Sequence, residues 1–135
     1  WNIGTNVSYN AVKDNGGLAD YQLAFNTPNY RTNVTLGNRN IGGSGWGFSA
    51  VWRFQDQFVW QSSMVNQVVN QSQQSLIPAF HTLDAQISKK LSSMKSILKV
   101  GGSNLLGAQY TTGWANPTVG SIYYVSLTFD QLLNK

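Results

Sequence analysis

The chain has 135 residues, enough for one domain with an ordinary core, and is 41% hydrophobic but only 10% charged, against about 25% charged in a typical soluble domain. The +4 net charge is scattered, with Lys89-Lys90 the only adjacent basic pair, which excludes a nucleic-acid footprint. Zero cysteines exclude a disulfide framework and a thiolate metal site, and no apolar run approaches the ~18 residues of a membrane helix.

Polarity comes from uncharged groups: there are 14 Asn, 11 Gln and no Glu, beside 5 Trp, 6 Tyr and 6 Phe. This mixture fits two kinds of all-β protein. One is an outer-membrane barrel, whose strands alternate between lipid and a hydrated lumen. The other is a soluble carbohydrate-binding module with its aromatic faces packed between two sheets.

The first element is WNIGTNVSYNAV, which sets Trp1, Ile3, Thr5, Val7, Tyr9 and Ala11 against Asn2, Gly4, Asn6, Ser8 and Asn10. A side-chain period of two is the mark of a strand with unlike surroundings on its two faces. KDNGG breaks it at Lys13 to Gly17, and a loop runs to Asn29, with Pro28 unable to join a central ladder. YRTNVTLG resumes the alternation from Tyr30, and Asn38 to Gly45 is a short turn. GWGFSAVWRFQDQFVW then predicts one strand of about sixteen residues, far longer than the usual five or six. Its even positions carry Trp46, Phe48, Trp52, Phe54, Phe58 and Trp60. Six large aromatics on one face exceed what a small core packs, whereas a barrel turns such a face to lipid.

A polar, unpatterned stretch from Gln61 reads as a long loop. The segments FHTLDAQISKKL and SILKVGGSNLL admit two readings. Leu83, Ile87, Leu91, Met94 and Leu98 recur at a helical period, while Leu83, Ala85, Ile87 and Leu91 also alternate with Thr82, Asp84, Gln86, Ser88 and Lys90. Ser92-Ser93 and Gly101-Gly102 lean toward a turn and a thin strand. After a turn-rich loop, SIYYVSLTFD places Tyr123, Val125, Leu127 and Phe129 opposite Tyr124, Ser126, Thr128 and Asp130. Six strands result, joined by alternately long and short connections, the pattern of an outer-membrane barrel.

Several motifs occur in series: FNTPNYRTNVTLGNRN, GFSAVWRFQDQFVWQSS, IPAFHTLDAQISKKL, KVGGSNLLGAQY and NPTVGSIYYVSLTFD. Together they resemble the C-terminal end of a TonB-dependent outer-membrane receptor of the SusC-like branch of nutrient importers. The resemblance spans Phe25 to Asp130. It implies that Leu83 to Leu106 is strand, tight turn, strand. It further implies an antiparallel transmembrane β-barrel of about 22 strands around an N-terminal plug, with residues 1–130 as its last six strands and 131–135 as a tail. Long connections would face outside and short turns the periplasm. Trp46, Phe48, Trp52, Phe54, Phe58, Trp60 and Tyr123 would face outer-membrane lipid, and Phe129 would be the end signal read by the barrel-insertion machinery. QLLNK follows Asp130, where many members stop, which sets the Phe129 signal one step away from the family pattern.

The implied partners are the rest of the barrel and its plug, TonB through a region N-terminal to this one, and a SusD-like surface lipoprotein. The smallest natural transmembrane barrels have eight strands, so six make a curved wall. With Trp1 rather than Met at the start, the chain is expected to be a fragment of a larger barrel. The same fold also suits a structural subunit of a larger outer-membrane assembly.

No catalytic constellation emerges. His81 is the one histidine, Asp84 falls on the opposite strand face, and neither HExxH nor GxSxG occurs, so the chain reads as no enzyme and as needing no cofactor. Asn2, Asn6, Ser8, Asn10, Arg31, Asn33, Arg53, Gln55, Gln57, Asp84, Gln86, Lys90, Lys99, Tyr124, Ser126 and Asp130 form the lumen-facing set, first of all a hydrated wall. Tyr110 and Trp114 in the last loop, with Gln67 and Gln71 in the Gln-rich loop, are the candidate cargo contacts, since aromatics stack on and amides hydrogen-bond a sugar or peptide.

Overall fold

A computed structural model describes residues 1–11, 26–60 and 76–129. Gln67, Gln71 and Asp130 lie outside the described residues, as does the 131–135 tail. The alternating segments form β1 (Asn2–Tyr9), β2 (Tyr30–Asn38), β3 (Trp46–Gln55), β4 (Phe58–Val59), β5 (Leu76–Ile77), β6 (Phe80–Leu91), β7 (Ser96–Ser103) and β8 (Ile122–Phe129). Six of them pair in the order β1-β2-β3-β6-β7-β8, every neighbour antiparallel. The protein is thus all-β, a six-stranded meander in which each strand of the sheet lies beside the preceding one, with β4 and β5 as a separate two-stranded ribbon. Its three long connections gather at one end and its two short turns at the other.

The register keeps one chemistry on each face. Directly paired residues share a face. One row runs Ile3–Leu36–Ala50–Ala85–Gly102–Tyr123, and the next in the turn direction joins Phe48, Ile87, Val100 and Val125. The opposite face carries rows such as Asn6–Asn33–Arg53–Thr82 and Ser49–Gln86–Gly101–Tyr124. A slip of one residue in any ladder would exchange the two sets. Gly101 helps to pin the register, because a Cβ there would sit 2.7 Å from the Ala85 carbonyl oxygen and 2.8 Å from the Tyr124 hydroxyl. The empty space lets the Tyr124 hydroxyl cross its partner and donate to Gln86 Oε1 at 2.9 Å.

Among the described residues no second layer covers the apolar face. Trp52 at mid-face is 37% exposed, Val125 72% and Tyr123 70%. Among the described residues the large apolar side chains that are buried are Ile77, off the main sheet on β5, and Pro28, before β2. The sandwich packing that the soluble module requires, with Trp46, Phe48, Trp52 and Phe54 held between two sheets, is not what these strands form.

The loop ends of the strands step sideways across the sheet. Tyr123 lies one residue from the loop end of β8, while Ile3, in the same row, lies six residues below Tyr9 at the loop end of β1. The displacement is five residues over five strand spacings. With about 3.3 Å per residue and about 4.8 Å between strands, it corresponds to a tilt of roughly 35°.

Two elements differ from the sequence-based expectation. The sixteen-residue strand is interrupted at Asp56 and Gln57: the Asp56 backbone N–H donates to the Tyr30 carbonyl, and Asp56 Oδ1 accepts the Gln57 N–H at 2.8 Å. Beyond that break β4 pairs with β5 in the register that β3 keeps with β6, so Phe58 retains the parity of Trp52 and Phe54. The ribbon prolongs the β3–β6 hairpin past the sheet: β4 falls within the expected long strand, and β5 within the stretch expected to be loop. At the other site β7 ends at Ser103, because Asn104 takes a left-handed conformation (φ 53°) that turns Leu105 and Leu106 out of the ladder. The contested segment 83–103 is otherwise strand, turn, strand, the turn made by a 3₁₀ element at Ser92–Met94 and left-handed Lys95.

Candidate functional site

The loop end gathers the side chains with the most varied chemistry. On the polar face, Ser8, Arg31, Gln55 and Phe80 form the outermost row, with Asn6, Asn33, Arg53 and Thr82 in the row below. Arg53 reaches diagonally to form an ion pair with Asp84. Asp84 is also a backbone acceptor: its Oδ1 takes the Asn104 N–H at 2.9 Å. Asn104 is buried, and its Nδ2 donates to the Ala108 carbonyl at 2.7 Å. The Ser121 hydroxyl donates to the Asn104 carbonyl at 2.6 Å, and the Leu105 N–H to the Leu83 carbonyl at 2.7 Å. Both ends of the 104–121 connection are thereby tied to one point of β6.

Held at its base, this connection folds back over the polar side of the sheet. The Tyr110 ring stacks on Phe80 with centroids 4.1 Å apart and planes 17° from parallel. A narrow antiparallel bridge between Tyr110 and Val119 braces it. Gly113 abuts the Trp60 ring so closely that a Cβ would lie 2.9 Å from it, and Phe58 stands 6.4 Å from Trp60. The Thr111 hydroxyl donates to the Gly113 carbonyl at 2.7 Å, which fixes the crossing. The result is an aromatic step of Phe80 and Tyr110 beside amide, hydroxyl and guanidinium groups. Such a surface stacks on a flat apolar ring face and hydrogen-bonds its polar rim.

Tyr110 is therefore at this step, and half-buried Trp114 lies on the same connection beside the Gly113 crossing. Gln67 and Gln71 are outside the described residues. Trp46, Phe48, Trp52, Phe54 and Tyr123 share the apolar face, Trp52 and Phe54 nearly parallel at 6.3 Å. Phe58 and Trp60 lie beyond the break, where Trp60 also meets Gly113 of the last connection. Phe129 closes β8 at the turn end, opposite Ser96. His81 sits at the loop end of the apolar face, opposite Phe54 and away from Asp84. Among the described residues no group of three or more His, Cys, Asp or Glu is arranged to hold a metal.

Phe80 and Asn104 were missed from sequence. Phe80 has the parity of the polar face, and that mismatch was a signal that it needed a partner. Asn104 gave none, since its role depends on Asp84, 20 residues away.

Comparisons with protein-family models, with curated proteins and with solved structures return no match for this chain.

Proposed function

We propose that this chain is wall: six strands of a transmembrane β-barrel in a bacterial outer membrane. In the fuller reading they are the last six of about 22 in a SusC-like, TonB-dependent importer. The observation that carries the proposal is the continuous apolar face, exposed across all six strands with no layer over it among the described residues. A sheet in water covers such a face with helices or a second sheet, whereas lipid covers it directly. The slant of the loop ends, roughly 35°, meets the lower edge of the 35–45° tilt needed to close strands into a barrel.

The outer edges of β1 and β8 have no partner among the described residues. In hydrocarbon an unpaired edge costs several kcal/mol per group, so the wall continues on both sides into further strands of the barrel. The plug fills the lumen and engages TonB, a SusD-like lipoprotein covers the loop end, and Phe129 serves the insertion machinery. Cargo, an oligosaccharide or peptide, meets the step at Tyr110 and the neighbouring Trp114.

With no native cysteine, single labels are unambiguous. Spin labels on Trp52→Cys and Val125→Cys, in lipid vesicles, should be relaxed by membrane-dissolved oxygen and shielded from a water-soluble nickel complex. A label on Ser126→Cys should show the reverse. Crowded, oxygen-inaccessible surroundings at Trp52 and Val125 would sink the proposal.

A further inference from the structure

The turn end of the wall is as distinctive as the loop end, and its chemistry is basic. Arg39 lies in the turn between β2 and β3, Lys95 in the turn between β6 and β7, and Lys89 on the apolar face one pair from Lys90. Among the described residues the carboxylates are Asp56 and Asp84, both toward the loop end, and the one ion pair is Arg53 with Asp84. Asp130 follows β8 outside the described residues. Lys90 and Lys99 have the parity of the polar face, which leaves Arg39, Lys89 and Lys95 for the apolar side and the turns.

Lys89 is the informative one. It occupies an apolar-face position, paired with Trp46 and Leu98. Its Nζ lies 4.8 Å from the centroid of the Trp46 ring and donates to the Ser44 carbonyl at 2.9 Å. The stem therefore covers apolar surface while the ammonium is drawn toward the turn, the posture of a lysine at a lipid–water boundary. One of its three N–H groups is used on Ser44 and two are left. The Lys90 N–H donates to the Gly45 carbonyl at 2.8 Å, so the two turns are joined beside the ammonium. Around it, Ile41 and Met94 are exposed at the turn tips. Arg39 lines a cleft of about 490 Å³ to which Trp1, Leu36 and Phe48 contribute from the apolar rows and Asn2, Thr35 and Ser49 from the polar rows.

Resting on the wall reading, we infer that this end is a binding surface for anionic phospholipid headgroups. Lys89, Arg39 and Lys95 meet the phosphates, and Trp46, Ile41 and Met94 enter the boundary between headgroup and acyl chain. Lipid is the occupant rather than an acidic protein because the key ammonium stands among acyl-facing side chains. The match of a three-cation surface to phosphate supplies the charge complementarity.

The test uses the chain and its variants with vesicles of phosphatidylcholine brominated on the acyl chains, with and without about a third phosphatidylglycerol. Bromine quenching of Trp fluorescence reports contact with hydrocarbon, and the partition coefficient reports headgroup preference. Quenching is expected in both lipids, with tighter partitioning in phosphatidylglycerol by about fivefold for each participating cation. Lys89→Gln and Lys95→Gln should each lose about fivefold in the anionic vesicles alone, and Lys89→Arg should keep the preference. Arg31→Gln, the same charge change at the loop end, should leave it intact, and 0.5 M salt should remove most of it. Quenching in both vesicles with no phosphatidylglycerol preference, or a preference untouched by the Lys89 and Lys95 changes, would overturn the headgroup inference and spare the wall. An anionic preference without quenching marks surface adsorption and also overturns it. No quenching in either vesicle removes the wall and this inference together.

Discussion

The two faces of this sheet solve the same problem in opposite ways. On one face the side chains supply their own partners: Arg53 with Asp84, Asp84 with the Asn104 amide, and Tyr124 with Gln86 across the bare strand at Gly101. On the other, Ile3, Val7, Val34, Leu36, Ile87, Val100 and Val125 lie open, and pairing along the strands covers little of them. A face that satisfies itself needs only water beyond it. A face that cannot do so states what medium it was built for, and the difference between the two teaches more than either alone.

Substitutions that treat the faces alike should therefore break the comparison. The largest effect is expected from Val125→Arg, an exposed position that would cost about 2–4 kcal/mol of folding free energy in a bilayer. Its neighbour Ser126→Arg, on the opposite face, should stay within about 0.5 kcal/mol. Denaturant titration of the vesicle-folded protein compares them, and equal costs would remove the asymmetry. Next in size is Gly101→Val, which drives a side chain into the Ala85 carbonyl and the Tyr124 hydroxyl. It should cost about 1–3 kcal/mol, and Gly101→Ala less.

The self-satisfied face can be probed at its knot. Asp84→Asn removes the ion pair with a half-exposed Arg53 and weakens the acceptor for the Asn104 N–H. About 1–2 kcal/mol is expected, most of it from the buried hydrogen bond rather than the screened pair. Hydrogen exchange at Asn104 and Leu105 should quicken while that of the β2–β3 ladder holds. The smallest effect is expected from Tyr110→Leu, which keeps the apolar volume and loses the stack on Phe80. It should cost about 0.5–1 kcal/mol and free the 104–121 connection to limited proteolysis.

Much of the sheet was legible because a period of two in the sequence is a statement about two faces. The parity of WNIGTNVSYN, YRTNVTLG and SIYYVSLTF places side chains as the ladders do. Segment 83–98 was ambiguous for a physical reason, since Leu83, Ile87 and Leu91 satisfy both a helical stripe and a strand face. Only the ladders to β3 and β7 decide it. The break after Gln55 was hidden because Phe58 and Trp60 keep the parity of Trp46 to Phe54, and the Asp56 carboxylate that turns the chain leaves no periodic trace. The loop-end site was the least readable. Tyr110 and Trp114 stood out as aromatics in a loop, but Phe80, Asn104 and Trp60 join them only through contacts between distant parts of the chain.

The meander has a consequence for how such a wall comes to exist. Each strand pairs only with the strands before and after it, so every hairpin, once closed, offers a finished edge on which the following one can zip. The hairpin around Ser92–Met94 closes the least chain and should form earliest, with β3 and β6 meeting later across their longer span. On the proposed reading, growth by successive addition at one rim lets the chain exchange water for hydrocarbon strand by strand, never exposing more than one open seam at the advancing side.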